Sequence, residues 1–268
     1  MNTNQQYFDV NKETWNKKVA VHAKSEMYNL SAFKNGKNSL MKYELDVLGD
    51  QVNGKSLLHL QCHFGQDTLS FSRMGAKCTG VDLSDEAIKL AKQLNSELYL
   101  DANFICCNVY DVNKHITEKF DIVFTSYGTI GWLPDLQPWA NIIASRLKSG
   151  GTFFMADFHP IVWMFDDVNE KHEMKYAYNQ KEVIYEEYSG TYADEKDKIV
   201  TKEYGWNHGL GAIITALTSA GLQIEFLKEY DESPYDVLPN LIKNKNGLFV
   251  TKDKLYPLIY TIKATKPY

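Results

Sequence analysis

The sequence predicts an α/β protein built on a doubly wound, mostly parallel sheet of seven strands, and three observations predict it. Residues 55–82 read KSLLHLQCHFGQDTLSFSRMGAKCTGVD: a short apolar run with Leu57, Leu58 and Leu60, a turn, a helical stretch stopped by Gly75, and a second run ending Gly80-Val81-Asp82. The same alternation of apolar run and helical period recurs as far as residue 156. Two further runs, 222–227 and 255–264, follow after a break. Strand and helix alternating in this way cover both faces of a sheet and place ligands beyond the carboxyl ends of its strands.

Taken in order, residues 9–23 set Trp15, Val19 and His22 at helical spacing behind the candidate caps Asp9 and Asn11, and a second helix is expected from Ser39 with Met41, Leu45 and Leu48 on one face. After Asp82, Ser84 can cap a helix whose first turn holds Asp85 and Glu86, with Ala87, Ile88, Ala91, Leu94 and Leu98 as its buried stripe. The third strand is 104–107, and the fourth, 120–125, empties into Ser126-Tyr127-Gly128-Thr129-Ile130-Gly131-Trp132. A loop at that place is where a reacting group would meet a bound ligand. A helix over 139–147 ends at Gly150-Gly151, and the fifth strand, 152–156, leads into Asp157-Phe158-His159-Pro160. From 161 to 205 the pattern changes to aromatic alternation around Val183, Tyr185, Tyr188 and Tyr192, with a charged turn at 194–198: an antiparallel insert, serving as a lid or as a dimer contact that leaves a homodimer open. The helical period of 210–220 then precedes the last two strands. The whole chain, 1–268, reads as one domain with a helical cap over residues 1–50.

The 268 residues are 44% hydrophobic and 24% charged, an ordinary globular balance, and the net charge of −5 without lysine or arginine clusters argues against nucleic acid as a partner. No run approaches the roughly 18 apolar residues of a spanning helix, and the polar start lacks the order of a signal peptide, so a cytoplasmic protein without membrane contact is expected. Cys62, Cys78, Cys106 and Cys107 lie in or beside core strands and form no disulfide framework.

Asp82, ending the second strand, is placed to accept hydrogen bonds from both hydroxyls of a ribose. The turn before it decides which nucleotide. A dinucleotide needs a glycine-rich turn so that pyrophosphate can touch backbone N–H groups, whereas this turn is Gln61-Cys62-His63-Phe64-Gly65 and keeps one glycine. A nucleoside carrying an amino acid tolerates bulkier side chains there. The string LLHLQCHFGQDTLS resembles the first motif of the class I S-adenosylmethionine-dependent methyltransferases in the variant form of one bacterial branch, with His59 where an acid usually stands, Gln61 and His63 in place of the first two glycines, and Gly65 matching the third. The resemblance extends to the 15–28 stretch, SYGTIGWLPDL, Phe158-His159-Pro160 and Trp206-Asn207-His208, nearly the whole chain.

That resemblance implies a Rossmann-like methyltransferase sheet with one antiparallel strand, S-adenosylmethionine as cofactor, and methyl transfer to a small or medium-sized acceptor. It implies further that Gln61, Cys62, His63, Phe64 and Gly65 hold the methionine part, that Leu83, Asn108 and Val109 border the adenine, and that Ser126 and Tyr127 border the methyl. Transfer from a sulfonium needs positioning and water exclusion more than a strict catalytic residue. His159 and Tyr127 are the candidates if a base is used, and Trp15, His22, Trp132, His159 and His208 are candidates for the acceptor site. Three alternatives stand beside this reading: a binding protein that keeps the cofactor but not the transfer, a nicotinamide-dependent oxidoreductase favoured by Asp82 but opposed by the missing glycines, and zinc at His59, Cys62 and His63. The zinc reading lacks a fourth ligand at family spacing, so no metal is expected.

Overall fold

The structure, a computed structural model, describes residues 3–165 and 173–268. The helical cap comprises α1 (Thr3–His22), α2 (Leu30–Lys34) and α3 (Lys42–Leu48), and then β1 (Ser56–Leu60), α4 (Gln66–Arg73), β2 (Lys77–Asp82), α5 (Asp85–Glu97) and β3 (Asn103–Cys106) follow in turn. The one-turn α6 (Val112–His115) leads to β4 (Phe120–Ser126), α7 (Leu136–Arg146) and β5 (Leu147–Phe158). Beyond them lie the hairpin β6 (Gln180–Ser189) and β7 (Val200–Asn207), α8 (Leu210–Ser219), β8 (Gln223–Tyr230), three two-residue strands, β9 (Glu232–Ser233), β10 (Ile242–Lys243) and β11 (Phe249–Val250), and finally β12 (Ile259–Thr265).

The main sheet runs β3-β2-β1-β4-β5-β12-β8, with β12 antiparallel to both its neighbours and the other paired strands parallel. The chain lays β1, β2 and β3 outward to one side and then crosses back to begin β4 on the other. Between β1 and β4 the winding reverses, and a crevice opens at their carboxyl ends. Burial on both faces explains why β1 carries leucines at successive positions, Leu57 and Leu58, and buries His59 and Leu60 as well. Leu58 and Leu60 point into the layer that holds Val123, Trp139, Ile143 and Phe153, while Leu57 points into the opposite layer with Phe71, Phe124 and Phe154.

Several expected boundaries move for identifiable reasons. The first helix starts at Thr3, not near Asp9, because Asp9 and Asn11 are not caps: Asp9 accepts from Gln5 one turn back, and Asn11 reaches out of the helix. Its amide donates to Tyr204 O at 2.8 Å and accepts from Tyr204 N at 2.9 Å, completing the edge of β7 as another strand would. Ser39 does not begin α3; its hydroxyl donates to Asp67 and pairs with Ser70, and Glu44 accepts the Met41 N–H to start the helix. α2 and the small sheet β10-β11-β9 had no periodic signal, since two-residue strands are too short to show alternation. The insert does contain an antiparallel hairpin, and Asp194, Glu195, Lys196 and Lys198 at its turn are exposed. Part of the expected 161–205 segment lies outside the described residues. Among those described, no helix is long and apolar enough to cross a membrane.

Candidate functional site

The turn after β1 adopts the backbone of a glycine turn without the glycines. Gln61 has φ 57° and His63 φ 50°, both in the left-handed region, before Gly65 at φ 78°. For a residue with a Cβ that conformation costs about 1 kcal/mol, and here each strained residue is tied down. The Gln61 side-chain amide donates to Thr129 O at 2.7 Å, and the His63 N–H donates to Asp82 Oδ2 at 2.7 Å. Gly65 alone admits no side chain, because a Cβ there would lie 2.6 Å from the ring of Phe104. Cys62 and Phe64 are buried, and so face the core beside α4 and α5. His59 is also core, 2% exposed, bonded to the Thr68 hydroxyl at 2.8 Å and packed on Phe124. It does not share the surroundings of Gln61 and His63.

Asp82 ends β2 half-buried, its two oxygens accepting from the His63 and Ser84 N–H groups at 2.7 and 2.9 Å. Burial pushes its carboxyl up to about 6 against the pull of those N–H groups. Each oxygen keeps a lone pair for a further donor. Leu83 is half-buried beside it. The Asn108 carbonyl oxygen is already engaged, accepting from the Tyr110 N–H at 3.0 Å, so its second lone pair and its NH₂ group are what it offers a base edge. Val109 is buried in the core below.

Over the turn sits an aromatic cover drawn from three distant parts of the chain. Trp15 lies edge-on to His63 and to Trp132, with ring centroids 5.2 Å apart in both cases. His22 Nδ1 meets His63 Nε2 at 3.3 Å, one ring donating to the other, and Tyr28 stacks on both rings. The Tyr28 and Tyr192 hydroxyls hydrogen bond at 2.6 Å, which closes the hairpin onto the cap. Tyr192 is nevertheless 54% exposed, so it lines an open cleft. Lys18, buried and paired with Glu203, points its ammonium at the rings of Trp15, Trp132 and Tyr192. Burial first and the Lys18 charge second hold His22 at about 3, and burial, His22 and Lys18 depress His63 in the same direction. Both rings are therefore expected to stay neutral at physiological pH. An NMR titration of the imidazole C–H signals between pH 8 and pH 5 should show no shift for His22 or His63, whereas a free imidazole titrates near about 6.5. Movement of either signal with a midpoint above 6 would mean the cover is open in solution.

At the end of β4 the loop is shaped by a buried carboxylate. Asp157, 2% exposed, accepts from the Gly128 and Phe158 N–H groups, and Trp132 Nε1 donates to Gly128 O at 2.7 Å. Tyr127 is thereby held at φ 27°, its ring 5.1 Å from Tyr235 and 5.6 Å from Phe158. Ser126 donates to Asp67 at 3.3 Å. His159 is placed elsewhere: its Nε2 bonds Glu229 at 2.9 Å and its Nδ1 accepts the Ile161 N–H at 3.2 Å, on the β12 and β8 side of the sheet. Both nitrogens are thus committed to the protein. His208 donates to Leu133 O at 2.7 Å beside a groove between Pro134 and Thr215.

The structure therefore brings Trp15, His22, His63 and Trp132 together, sets Ser126 and Tyr127 near them through Gln61 and Thr129, and leaves His159 and His208 apart. Sequence reasoning missed Lys18, Tyr28, Tyr192, Tyr235, Glu44, Asp67 and Asp157. Only Asp67 carried a signal, since it lies two residues beyond the single glycine of the turn.

Residues 57–151 match the family described as a methyltransferase domain. Among curated proteins, the ubiquinone biosynthesis O-methyltransferase of Coxiella burnetii is 30% identical over 105 residues, 39% of this chain and 44% of that one. The same enzyme of Idiomarina loihiensis is 26% identical over 125 residues, 46% of this chain and 51% of that one. The chain thus spans about half the length of the curated relatives it matches. Among solved structures, an S-adenosylmethionine-dependent methyltransferase from Clostridium acetobutylicum superposes with TM-score 0.58 at 15% identity, over 92% of this chain and 95% of that one. The glycopeptide N-methyltransferase MtfA, solved with S-adenosyl-L-methionine, gives 0.56 at 13% identity over 84% and 87%.

Proposed function

We propose that this chain, whose residues 57–151 match a methyltransferase domain, is a class I enzyme that transfers a methyl group from S-adenosylmethionine to a small or medium-sized acceptor at oxygen, nitrogen or carbon. The observation that carries the reading is a pair of buried polar atoms without hydrogen-bond partners in the turn after β1, Gln61 Oε1 and His63 Nδ1. With the spare lone pairs of Asp82, they suit a nucleoside bearing an amino-acid tail. They do not suit a pyrophosphate, which needs bare N–H groups where the Gln61 and His63 side chains stand.

The cofactor, when bound, supplies an electrophilic methyl on a sulfonium. Asp82 would hold the ribose hydroxyls, Asn108 and Leu83 the adenine edge and face, and the 61–65 turn the methionine part. Tyr127, whose phenol is kept neutral by burial first and by the neighbouring Glu44, would orient an acceptor by hydrogen bonding. Trp15, Trp132 and Tyr28 would limit the access of water to the same space. With His159 bonded through both nitrogens, positioning is the chain's larger contribution, and the acceptor must be held within about 3 to 3.5 Å of the methyl. The contacts between α1 and the hairpin support reading these elements as a cover over the acceptor site.

Relatives named as O-methyltransferases make an oxygen acceptor the first class to screen. Purified protein given methyl-labelled cofactor and separate panels of phenols, amines and thiols should form S-adenosylhomocysteine with one panel. Binding of the cofactor without turnover on any panel would favour the non-catalytic binding protein instead.

A further inference from the structure

Two neutral imidazoles share one hydrogen bond where α1 meets the turn after β1. His22, the last residue of α1, is fully buried, and its Nδ1 lies 3.3 Å from His63 Nε2. The two outer nitrogens, His22 Nε2 and His63 Nδ1, are buried as well and have no hydrogen-bond partner among the described residues. Tyr28 lies over both rings, at 20° and 16°, but its hydroxyl pairs with that of Tyr192 and serves neither nitrogen.

A neutral imidazole has one N–H and one bare nitrogen, so a bond between two such rings ties their tautomers together. If His22 Nδ1 holds the shared proton, His22 Nε2 is bare and His63 Nδ1 carries an N–H. If His63 Nε2 holds it, the outer nitrogens exchange roles. His63 Nδ1 is thus a donor in one state and an acceptor in the other. The surroundings favour the donor. Lys18 stands one helical turn before His22 on α1 and, like His22, faces the Trp15 and Tyr192 rings. After burial, it is the Lys18 charge that resists a further proton on His22, even with Glu203 paired to that ammonium. A bare outer nitrogen on His22 is therefore the better neighbour for the cation. In the turn itself, the other unpartnered atom, Gln61 Oε1, and the spare lone pairs of Asp82 are all acceptors. A ligand with oxygens of its own needs a donor beside them.

We propose that His22 is a positioning residue that fixes the tautomer of His63, so that His63 Nδ1–H donates to an oxygen of the ligand held at the 61–65 turn. The ligand half of this assignment rests on the methyltransferase reading; the tautomer half does not. The oxygen has two possible sources, the amino-acid tail of the cofactor and the methyl acceptor.

Long-range proton–nitrogen NMR correlation on histidine-labelled protein reads which nitrogen of each ring carries the proton, in the wild type, His22→Phe and His22→Asn. The wild type should show both His22 and His63 protonated at Nδ1. Phenylalanine keeps a ring but removes the bond, and His63 then moves to Nε2 or divides between tautomers. Asparagine, its carbonyl turned to the Lys18 side and its NH₂ to His63, restores Nδ1. Wild-type His63 protonated at Nε2, or the same His63 tautomer in His22→Phe as in wild type, overturns the proposal. Calorimetry on the same proteins identifies the oxygen. With the cofactor tail as source, His22→Phe binds S-adenosylhomocysteine at least about tenfold more weakly, keeps its affinity for methylthioadenosine, which lacks the tail, and is rescued in His22→Asn. With the acceptor as source, both nucleosides bind unchanged, and phenol added to protein saturated with S-adenosylhomocysteine binds at least about tenfold more weakly to His22→Phe than to wild type. Unchanged binding of all three ligands overturns the ligand half. If folded wild type binds neither nucleoside, the methyltransferase reading fails, and the His63 tautomer in wild type and His22→Phe still decides the role of His22.

Discussion

Asp82→Ala is expected to weaken S-adenosylhomocysteine binding at least tenfold, about 1.4 kcal/mol, measured by calorimetry with NADH as the control ligand. The wild-type carboxylate accepts two N–H groups, one of them from the strained His63, and offers the remaining lone pairs to a ribose. Alanine removes the acceptor for the ligand and the brace for the turn together. Asp82→Asn is intermediate: its carbonyl oxygen can keep one backbone bond and one ribose contact, while its NH₂ faces the other backbone N–H and accepts from neither. A smaller loss in Asp82→Asn than in Asp82→Ala, with unfolding stability measured beside it, is therefore expected. Acid should act in the same direction. The carboxyl is pushed up to about 6, so a ligand that needs it ionised loses up to about tenfold in affinity between pH 7 and pH 5. A folded wild type that ignores S-adenosylhomocysteine, or prefers NADH, would remove the nucleoside assignment altogether.

The place of Asp82 at the end of β2 was legible because its signal is local. An acid closing a short apolar run, after a turn and a helix, has one place to be in a doubly wound sheet. The central strands were legible for the same reason: burial on both faces places leucine at both Leu57 and Leu58, with Leu60 beyond His59, where a half-exposed strand would alternate. The cover was not legible. Lys18 reads as a solvated helical lysine, and becomes buried only because Glu203, 185 residues away in sequence, comes to meet it. Tyr28 and Tyr192 lie in irregular segments where neither helical nor strand period assigns a direction. Glu44 carried no signal of its own: that it accepts the Met41 N–H and is buried depends on where the fold places the start of α3. His159 shows the opposite case. Its position after β5 invites a catalytic role, but a neighbouring strand supplies Glu229 and its own loop supplies Ile161 N–H, so two local bonds occupy the ring.

Gly65→Ala is expected to destabilise the fold by about 2 to 5 kcal/mol, combining a left-handed alanine with an overpacked core, as read by denaturant unfolding. The two contributions have separate origins. The backbone at φ 78° strains any residue with a Cβ, and that Cβ would meet the Phe104 ring at 2.6 and 2.8 Å and the Ala91 methyl at 3.2 Å. Phe104→Leu removes the ring and leaves the backbone unchanged. The double variant Gly65→Ala/Phe104→Leu should therefore lose less stability than the sum of the two single variants, by the steric share alone. Gln61→Gly provides the contrast. It relieves a left-handed side chain at φ 57° but gives up the bond to Thr129 O, two effects of about 1 kcal/mol each and opposite sign, so its stability should stay close to wild type. Strict additivity in the double variant would mean that Phe104 is not what excludes a side chain at Gly65. A large loss in Gln61→Gly would mean that the Thr129 bond, more than the backbone shape, holds the β1 turn against the β4 loop. Either result would change which residue is understood to set the distance between the nucleoside end of the cleft and Tyr127.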